Sequence, residues 1–343
     1  MVLFNICDVA KKEEKTLLSF FTFNGNTCYC KKGANMVMVK RKKFTKGQWA
    51  LLIMAGLGVL FLLVFNYAPM YGIVLAFKNG DYKMDIRKAI FESDWVQLRN
   101  FEKFLVDPQF KSVLMNTLGL NMLSLVVTFP APIIFALLIN EVRNRRFKQV
   151  VQTLSYFPHF LSWIVYGGII LNLIDPQTGL MNDVLMKIGL IESPLNLTRS
   201  EYIWGLCIVT AIIKGVGWGS VIYVAAIASI DTAMYEAADI DGAGRWSKMF
   251  FITLPSIAPT ITVFLILSVS NILNSGFEQL WVFRNQINLD KIEVIDTYVY
   301  QYGVLNQRYS YTTAIGLLKS IVSLVLLTFS NFISRKITGK GIY

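Results

Sequence analysis

Six long stretches of apolar residues constrain the fold of this chain more than any other feature. Each is longer than the ~20 residues that a helix needs to cross the hydrocarbon core of a bilayer. The stretches are 49–77, 112–140, 149–174, 202–230, 249–277 and 309–334. Backbone groups in lipid have no water to bond, so a spanning segment must be helical. The sequence therefore predicts an all-α, polytopic membrane protein with six transmembrane helices.

The composition and charge exclude several other classes of protein. Hydrophobic residues make up 54% of the chain and charged residues 16%, whereas about a quarter of a soluble domain is charged. A net charge of +11 is typical of basic loops beside lipid headgroups rather than of a nucleic-acid partner. One His and four Cys offer little material for a metal centre or a His-based catalytic site. We therefore expect no enzyme activity, no bound metal and no nucleic-acid partner.

Clusters of Lys and Arg predict which loops face the cytoplasm, because short cytoplasmic loops carry an excess of these residues. Such clusters lie at 40–46 before the first stretch, at 143–148 after the second and at 335–340 after the sixth. The sequence therefore predicts a multi-pass membrane protein with both termini in the cytoplasm. Residues 78–111 also carry basic residues, nearly balanced by acids, and we expect them to form a small outer segment with an amphipathic helix near 85–103.

Two regions follow from these patterns. Residues 1–44 form a basic cytoplasmic leader that we expect to be disordered, and residues 45–343 form the six-span domain. The leader does not resemble a signal peptide, since charged residues at 11–15 interrupt its short apolar start. Translation beginning at Met36 or Met38 is a second interpretation of this region.

The loop between the fourth and fifth stretches contains the sequence Glu236-Ala237-Ala238, followed by Gly242 and then Leu254-Pro255. Glu and Ala favour a helix, and Asp231 can cap its first turn. Gly242 can close this helix in a left-handed conformation. On physical grounds alone, the pattern predicts a short helix and turn lying on the membrane surface.

The full string EAADIDGAGRWSKMFFITLP resembles the Glu-Ala-Ala signature of permease subunits in ATP-binding-cassette (ABC) importers. Every signature residue and both spacings match. The resemblance implies a type I ABC importer permease fold with a coupling helix at about 232–246. Glu236, Ala237, Ala238 and Gly242 would form the knob and turn that dock on the ATPase, and Leu254-Pro255 would anchor the next span.

Three further segments resemble the sugar branch of these permeases, the superfamily of MalF and MalG. They are 100–121, with Asn-Phe, Asp-Pro-x-Phe and Asn-Thr; 155–185, with its Pro-x-x-Gly-Leu-x-Asn turn; and the NYAPMYG sequence at 66–72, which is similar to the complex-polysaccharide type called the LplB group. The resemblance implies uptake of an oligosaccharide by alternating access. The implied partners are a second permease subunit, ABC ATPase subunits, an extracellular solute-binding protein and membrane lipid.

Polar residues within the apolar stretches are candidates for the substrate path. Lys214 and Lys319 interrupt the fourth and sixth stretches, and an ammonium in the bilayer centre costs at least about 2.5–3.5 kcal/mol. They either line the path or pair structurally, for example with Glu278 or with the second subunit. Late in the fifth stretch, helical spacing would place four residues on one face: Asn271, Asn274, Glu278 and Trp281. Their amide, carboxylate and aromatic groups suit a hydroxyl-rich substrate, whereas membrane-interface anchoring explains Trp281 equally well.

The chain lacks a phosphate-binding loop, since its only Gly-Lys pair, Gly339-Lys340, has neither the upstream Gly nor the following Ser or Thr. We therefore expect no cofactor on this chain, and the resemblance places ATP and Mg²⁺ on the partner ATPase. Two other classes remain open from the residues alone. One is a stand-alone secondary transporter or channel, and the other is an integral membrane enzyme of glycan or lipid metabolism.

Overall fold

The computed structural model describes residues 45–81 and 85–338, together with three short strands in the leader. The chain divides into two units, Met1–Tyr71 and Gly72–Tyr343, which are described separately. The elements of the first unit include strands Phe23–Asn24, Thr27–Lys32 and Asn35–Lys40, and helix Lys46–Leu62, which continues through a π-helical turn at Leu63–Tyr67 and a helical turn at Ala68–Met70.

The strands form an antiparallel sheet in sequence order, with Tyr29 opposite Met38. Val, Tyr and Thr residues within these strands favour extended structure. The rest of the leader lies outside the described residues. The first helix begins at a capping box, in which Thr45 and Gln48 bond each other's backbone N–H groups.

In the second unit, helices and helical turns account for the described elements. A 3-10 segment, Tyr71–Phe77, crosses from the first unit into the second. The remaining elements are Ile86–Phe91, Arg99–Val106, Phe110–Val127, Pro130–Asn140, Arg145–Tyr156, Phe157–Phe160, Trp163–Leu173, Leu180–Lys187, Ile203–Ala228, Thr232–Ile240, Arg245–Lys248, Met249–Thr253, Leu254–Ser270, Phe277–Phe283, Leu289–Ile292, Ile295–Tyr300, Gln301–Leu305 and Tyr309–Thr338. The segment 78–111 therefore contains two short helices, Ile86–Phe91 and Arg99–Val106, where the sequence predicts one near 85–103.

Among the described residues, five helical segments are long and apolar enough to span a membrane, and a bent pair makes a sixth. The five are Lys46–Phe77, Phe110–Asn140, Ile203–Ala228, Arg245–Ser270 and Tyr309–Lys336. We number the spans in chain order, with the bent pair as the third. The prediction of an all-α membrane protein with six spans is confirmed.

The third span is broken, where the sequence predicts one continuous helix over 149–174. Arg145–Phe160 and Trp163–Leu173 meet at an angle of 104°. Pro158 lies in the last turn of the first part and lacks the N–H group that would continue the helix. Ser162 then starts the second part by accepting a hydrogen bond from the Val165 N–H at 3.3 Å.

Three buried apolar clusters hold the second unit together. One joins the second, fourth and fifth spans through Ala136, Ile227 and Ile257. A second joins the second and fourth spans to Phe277–Phe283 and Leu289–Ile292. The third packs Phe104 against Tyr298 and the sixth span. Within the membrane, such clusters stabilise the fold through van der Waals packing rather than through removal of apolar surface from water.

Small residues allow the spans to approach closely, as the Gly215-x-Gly217-x-Gly219 spacing predicts. A Cβ atom at Gly217 would lie 2.2 Å from the backbone oxygen of Ser155, and one at Gly219 would lie 3.0 Å from Pro132. A Cβ atom at Gly215 would meet no atom within 4 Å outside its own stretch of helix. Close packing therefore explains two of the three glycines.

Outside the spans, a hydroxyl–carboxylate network fixes the segment between the fifth and sixth spans. The Tyr298 hydroxyl donates to Asp107 at 2.9 Å and lies 2.9 Å from the Tyr311 hydroxyl. Burial and these bonds raise the pKa of Tyr298 well above its ordinary value. This hydroxyl therefore acts as a neutral donor that connects Asp107 to the helix Ile295–Tyr300.

Candidate functional site

A short helix, Thr232–Ile240, leaves the fourth span and precedes the fifth, at the position of the Glu-Ala-Ala sequence. It begins at Asp231, whose side chain accepts a hydrogen bond from the Ala233 N–H at 3.0 Å. A carboxylate at this position also interacts favourably with the positive end of the helix dipole. The local sequence alone therefore determines where this helix starts.

Gly242 ends the helix in a left-handed conformation with φ +74°. The Ala243 N–H donates to the Ala238 carbonyl at 2.8 Å, and the Gly242 N–H donates to the Asp239 carbonyl at 3.1 Å. This pair of bonds is the Schellman motif, and residues with a Cβ atom adopt its left-handed position only at a cost. The predicted conformation of Gly242 is confirmed.

Two side-chain contacts tie the short helix to the start of the fifth span. Lys248 forms an ion pair with Asp239, and the Tyr235 hydroxyl lies 2.9 Å from the Thr253 hydroxyl. Thr253 is buried and immediately precedes Leu254, which packs partly buried against the cluster containing Ile257. These contacts therefore connect the short helix directly to the start of the fifth span.

The surface of the helix Thr232–Ile240 is exposed and carries both apolar and charged side chains. Ile240 is 88% exposed and Met234 48%, while Glu236 and Ala237 are exposed and Ala238 is half-buried. Within the part of the chain that the structure describes, Glu236 forms no hydrogen bond or ion pair. Exposed apolar patches mark surfaces that contact another protein or the membrane. Pro255 is also exposed, in the first turn of Leu254–Ser270.

Lys214 is buried at the break in the third span. Its ammonium donates to the backbone carbonyls of Pro158 and His159 at 3.0 Å each, and to that of Leu161. These carbonyls lie at the end of a helix, where the helix itself supplies no donors. The ammonium also lies 5.3 Å from the ring centre of Trp163, within cation–π range. Lys214 is therefore fully engaged by the protein, and Glu278 interacts with it only electrostatically.

Lys319 of the sixth span is paired with Asp296, an acid that the sequence analysis did not name. The other oxygen of Asp296 accepts the Ser275 N–H at 2.8 Å, and Asn121 donates to the Ser275 hydroxyl at 2.7 Å. Lys319 also lines a largely apolar cleft of about 1020 Å³ between the second and sixth spans. The contacts thus place Lys319 in a structural network that joins several elements.

The four polar residues predicted on one helical face do not share a helix, which corrects that prediction. The fifth span ends at Ser270, and a new helix begins at Phe277 after Gly276, which has φ +62°. The physical reason is local. The Asn271 side chain donates to the Leu267 carbonyl, and the Asn274 side chain donates to that of Asn271. Such side-chain bonds compete with the continuation of the helix. Both amides remain exposed.

The second helix carries Glu278, which is exposed, and Trp281, which is half-buried. Trp281 stacks on Phe277 with ring centres 5.5 Å apart and meets Tyr300 edge-on at 4.8 Å. The neighbouring Gln279 is buried, and its amide donates to the Cys207 carbonyl at 2.6 Å. Its burial next to the fourth span depends on how the two helices pack, for which the sequence holds no local signal.

No group of three or more His, Cys, Asp or Glu side chains within 45–81 and 85–338 is arranged to hold a metal ion. His159 stacks flat on Trp218, with ring centres 4.8 Å apart. The features of the described residues that could serve function are the membrane spans, the exposed helix Thr232–Ile240 and the polar segment after the fifth span.

Comparison with known proteins identifies the family. Residues 108–339 match the family described as the binding-protein-dependent transport system inner membrane component. The chain is 39% identical to protein LplB of Bacillus subtilis, over 90% of this chain and 93% of LplB. It is 41% identical to YteP of the same species, a polygalacturonan/rhamnogalacturonan transport system permease, over 83% and 88% of the two chains.

A crystal structure has the same fold. It is that of a bacterial ABC transporter involved in the import of the acidic polysaccharide alginate, and the likeness has a TM-score of 0.77 at 37% identity, covering 85% of this chain and 97% of the other. These matches exclude the membrane-enzyme and secondary-transporter alternatives. The chain therefore belongs to the inner membrane components of binding-protein-dependent transport systems, and it is a permease subunit of an ABC importer.

Proposed function

We propose that this permease imports oligosaccharides and that the helix Thr232–Ile240 couples it to an ATPase. The substrate class is supported by relatives whose names specify polygalacturonan and rhamnogalacturonan, and by the likeness to an alginate importer. The importer would contain a second permease, ABC ATPase subunits and an extracellular binding protein. ATP and Mg²⁺ would bind to the ATPase subunits, and both termini of this chain would lie in the cytoplasm.

The coupling proposal rests on one observation: the helix Thr232–Ile240 is exposed, and side-chain contacts fix it to the start of the fifth span. Ile240 and Met234 offer apolar contact, and Glu236 offers an unpaired carboxylate that a basic group in a groove of the ATPase would bind. The Lys248–Asp239 ion pair and the Tyr235–Thr253 contact would then transmit a movement of the helix to the fifth span. Closure of the ATPase subunits would thereby open the path toward the outside.

We further propose that the segment between Ser270, where the fifth span ends, and Phe277, where the next helix begins, contributes to the substrate path. Asn271 and Asn274 present exposed amides there, which can both donate to and accept from sugar hydroxyl groups. Phe277, Trp281 and Tyr300 form an aromatic group beside them in the chain, which suits the apolar face of a sugar ring. Lys214 and Lys319 would support this region rather than bind substrate, because their ammonium groups are already engaged.

The assembly is tested by tagging the chain at its C-terminus, extracting it in mild detergent and identifying the proteins that co-purify in stoichiometric amount. We expect a phosphate-loop ATPase and a second six-span protein. A chain that purifies alone or only with itself would contradict the proposed assembly.

The coupling role is tested with Glu236→Lys and Gly242→Pro. We expect both variants to reach the membrane, to lose uptake and to bind the ATPase more weakly. Glu192→Lys and Gly189→Pro are matched controls, because Glu192 is also exposed and Gly189 also has a positive φ, of +73°. Full uptake by both coupling variants would refute the proposed coupling helix.

A further inference from the structure

The fifth span lacks two backbone hydrogen bonds shortly after its contacts with the helix Thr232–Ile240. Pro255 and Pro259 have no N–H group, so the Phe251 and Pro255 carbonyls do not receive the bond that an α-helix normally supplies four residues later. The span nevertheless continues as one helical segment, Arg245–Ser270. Because residues four apart share a face of a helix, both bonds are missing on the same side.

Two hydroxyl groups weaken the same stretch of helix further. The Ser256 hydroxyl donates to the Ile252 carbonyl at 2.7 Å, and the Thr262 hydroxyl donates to the Ala258 carbonyl at 2.9 Å. Hydroxyl bonds of this kind compete with the backbone bonds, slightly destabilise a helix and often bend it. The stretch 251–262 is therefore easier to bend than a regular helix.

The packed side of this stretch lies opposite the missing bonds. Ile257, between the two prolines, is 1% exposed and packs in the cluster that contains Ala136 of the second span and Ile227 of the fourth. Pro255 is exposed and Pro259 is half-buried. Two positions along a helix correspond to a rotation of about 200°. The helix can therefore bend on the side of the prolines while the Ile257 contact stays in place.

The residues before the prolines are tied to the proposed coupling helix at two points. The Lys248–Asp239 ion pair lies at the start of the π-helical turn Met249–Thr253, and the Tyr235–Thr253 contact lies at its end. Single π-helical turns are frequent at functional sites. Because both ends of the turn are held by the same helix, bending is easiest beyond Thr253, where the prolines lie.

We propose that the fifth span contains a hinge between Pro255 and Pro259, at which it bends about Ile257 when the coupling helix moves. The inference rests on the proposed function, since it assumes that an ATPase moves this helix. The prolines act as positioning residues, because they set the angle between the two halves of the span and do not contact substrate. The half that ends at Ser270 can then change its angle to the half that is tied to the coupling helix.

The first test measures the bend in the whole importer, with its partner permease, ATPase and binding protein. After the four native cysteines are replaced, spin labels are attached in two pairs that share a reference label at Ile134→Cys of the second span. One pair adds Trp246→Cys before the prolines and the other adds Leu265→Cys after them; all three positions are exposed. Distances are compared between the nucleotide-free and the vanadate-trapped importer.

A hinge and a rigid span give different label distances. We expect the Trp246–Ile134 distance to change between the two states in wild type and the Leu265–Ile134 distance to change much less. In the double variant Pro255→Ala/Pro259→Ala, the restored N–H groups close the two missing bonds. The two distances should then change together or not at all.

The second test measures coupling, using Pro259→Ala alone and the double variant. We expect both to bind the ATPase and to hydrolyse ATP, but to import about tenfold less substrate per ATP, since hinge substitutions alter turnover. Their unfolding midpoint should not fall, because alanine favours a helix over proline, whereas damage to the fold would lower it. Pro130→Ala is the matched control in the second span and should leave uptake per ATP unchanged.

The outcomes separate the hinge from the coupling role on which it rests. Wild-type uptake per ATP in both proline variants, or label distances that change together in wild type, overturns the hinge and leaves the coupling helix standing. Full uptake by Glu236→Lys and Gly242→Pro refutes the coupling role, and the hinge with it. Should the proline variants fail to assemble, the distances in wild type alone still decide the hinge.

Discussion

Replacing Lys214 with Met tests whether this buried ammonium holds the break in the third span together. The change removes the donor for the carbonyls of Pro158, His159 and Leu161 while keeping an unbranched apolar chain of similar length. Hydrogen bonds between membrane helices contribute about 0.6 kcal/mol on average and up to about 1.7 kcal/mol. Three bonds to one charged donor should therefore contribute roughly 2 to 5 kcal/mol, less the relief from no longer burying a charge.

The assay is thermal unfolding of the purified complex in detergent, together with uptake in proteoliposomes. We expect the free energy of unfolding of Lys214→Met to fall by up to about 2 kcal/mol, and its unfolding midpoint to fall with it. Lys214→Arg should lose less, because the guanidinium group retains several donors. Lys111→Met is the matched control, since Lys111 is exposed at the start of the second span, and it should leave the midpoint unchanged.

The competing hypothesis makes the opposite prediction for the same variant. If Lys214 lined the path and bound substrate, Lys214→Met would unfold at the wild-type midpoint and would fail only in uptake. An unchanged midpoint with lost uptake would therefore refute the structural role assigned to the three carbonyl bonds.

Three further predictions follow from packing and charge. Gly217→Ala should destabilise the chain by about 1–3 kcal/mol, because the new Cβ atom would lie 2.2 Å from a backbone oxygen of the third span. Gly215→Ala, the control, should leave the stability unchanged. Thermal unfolding of the two variants measures both effects. Lys319→Met should destabilise by about 3 kcal/mol because it leaves Asp296 unpaired, and the double variant with Asp296→Asn should unfold closer to wild type. Hydrogen bonds from its own loop lower the pKa of Asp175. The stability that its carboxylate adds is therefore present above the ordinary value of 3.8 and is lost as the pH falls through the lower folded value. The protection of the amides at 177–178 against hydrogen exchange, relative to their intrinsic exchange rates, should fall in acid, and Asp175→Asn should remove this pH dependence.

Much of this protein could be predicted from runs of neighbouring residues. The spans follow from apolar stretches long enough to cross a bilayer, because lipid leaves the backbone no alternative to a helix. The short coupling segment is equally local, since Asp231 and Gly242 set its two ends through bonds to residues a few positions away. The Glu-Ala-Ala signature, read across both of its halves, also indicated the family that the comparisons identify.

The interpretation of the polar membrane residues depended on the tertiary structure. Helical spacing predicted one face for Asn271, Asn274, Glu278 and Trp281, but the helix ends at Ser270 because backbone and amide bonds in the following turn compete with it. The proline at 158 was visible in the sequence, yet the 104° bend of the third span was not.

The partners of Lys214 and Lys319 could not be predicted from neighbouring residues in the sequence. Lys214 bonds carbonyls more than fifty residues away in the sequence, and Lys319 pairs with Asp296 across the turn between the last two spans. A lysine in an apolar stretch indicates by its charge that it needs a partner. Which group meets it is decided by how the helices pack, because packing alone brings distant residues within bonding distance. The sequence by itself therefore determined the spans, the helix Thr232–Ile240 and the family, whereas the tertiary structure decided which groups the polar side chains contact.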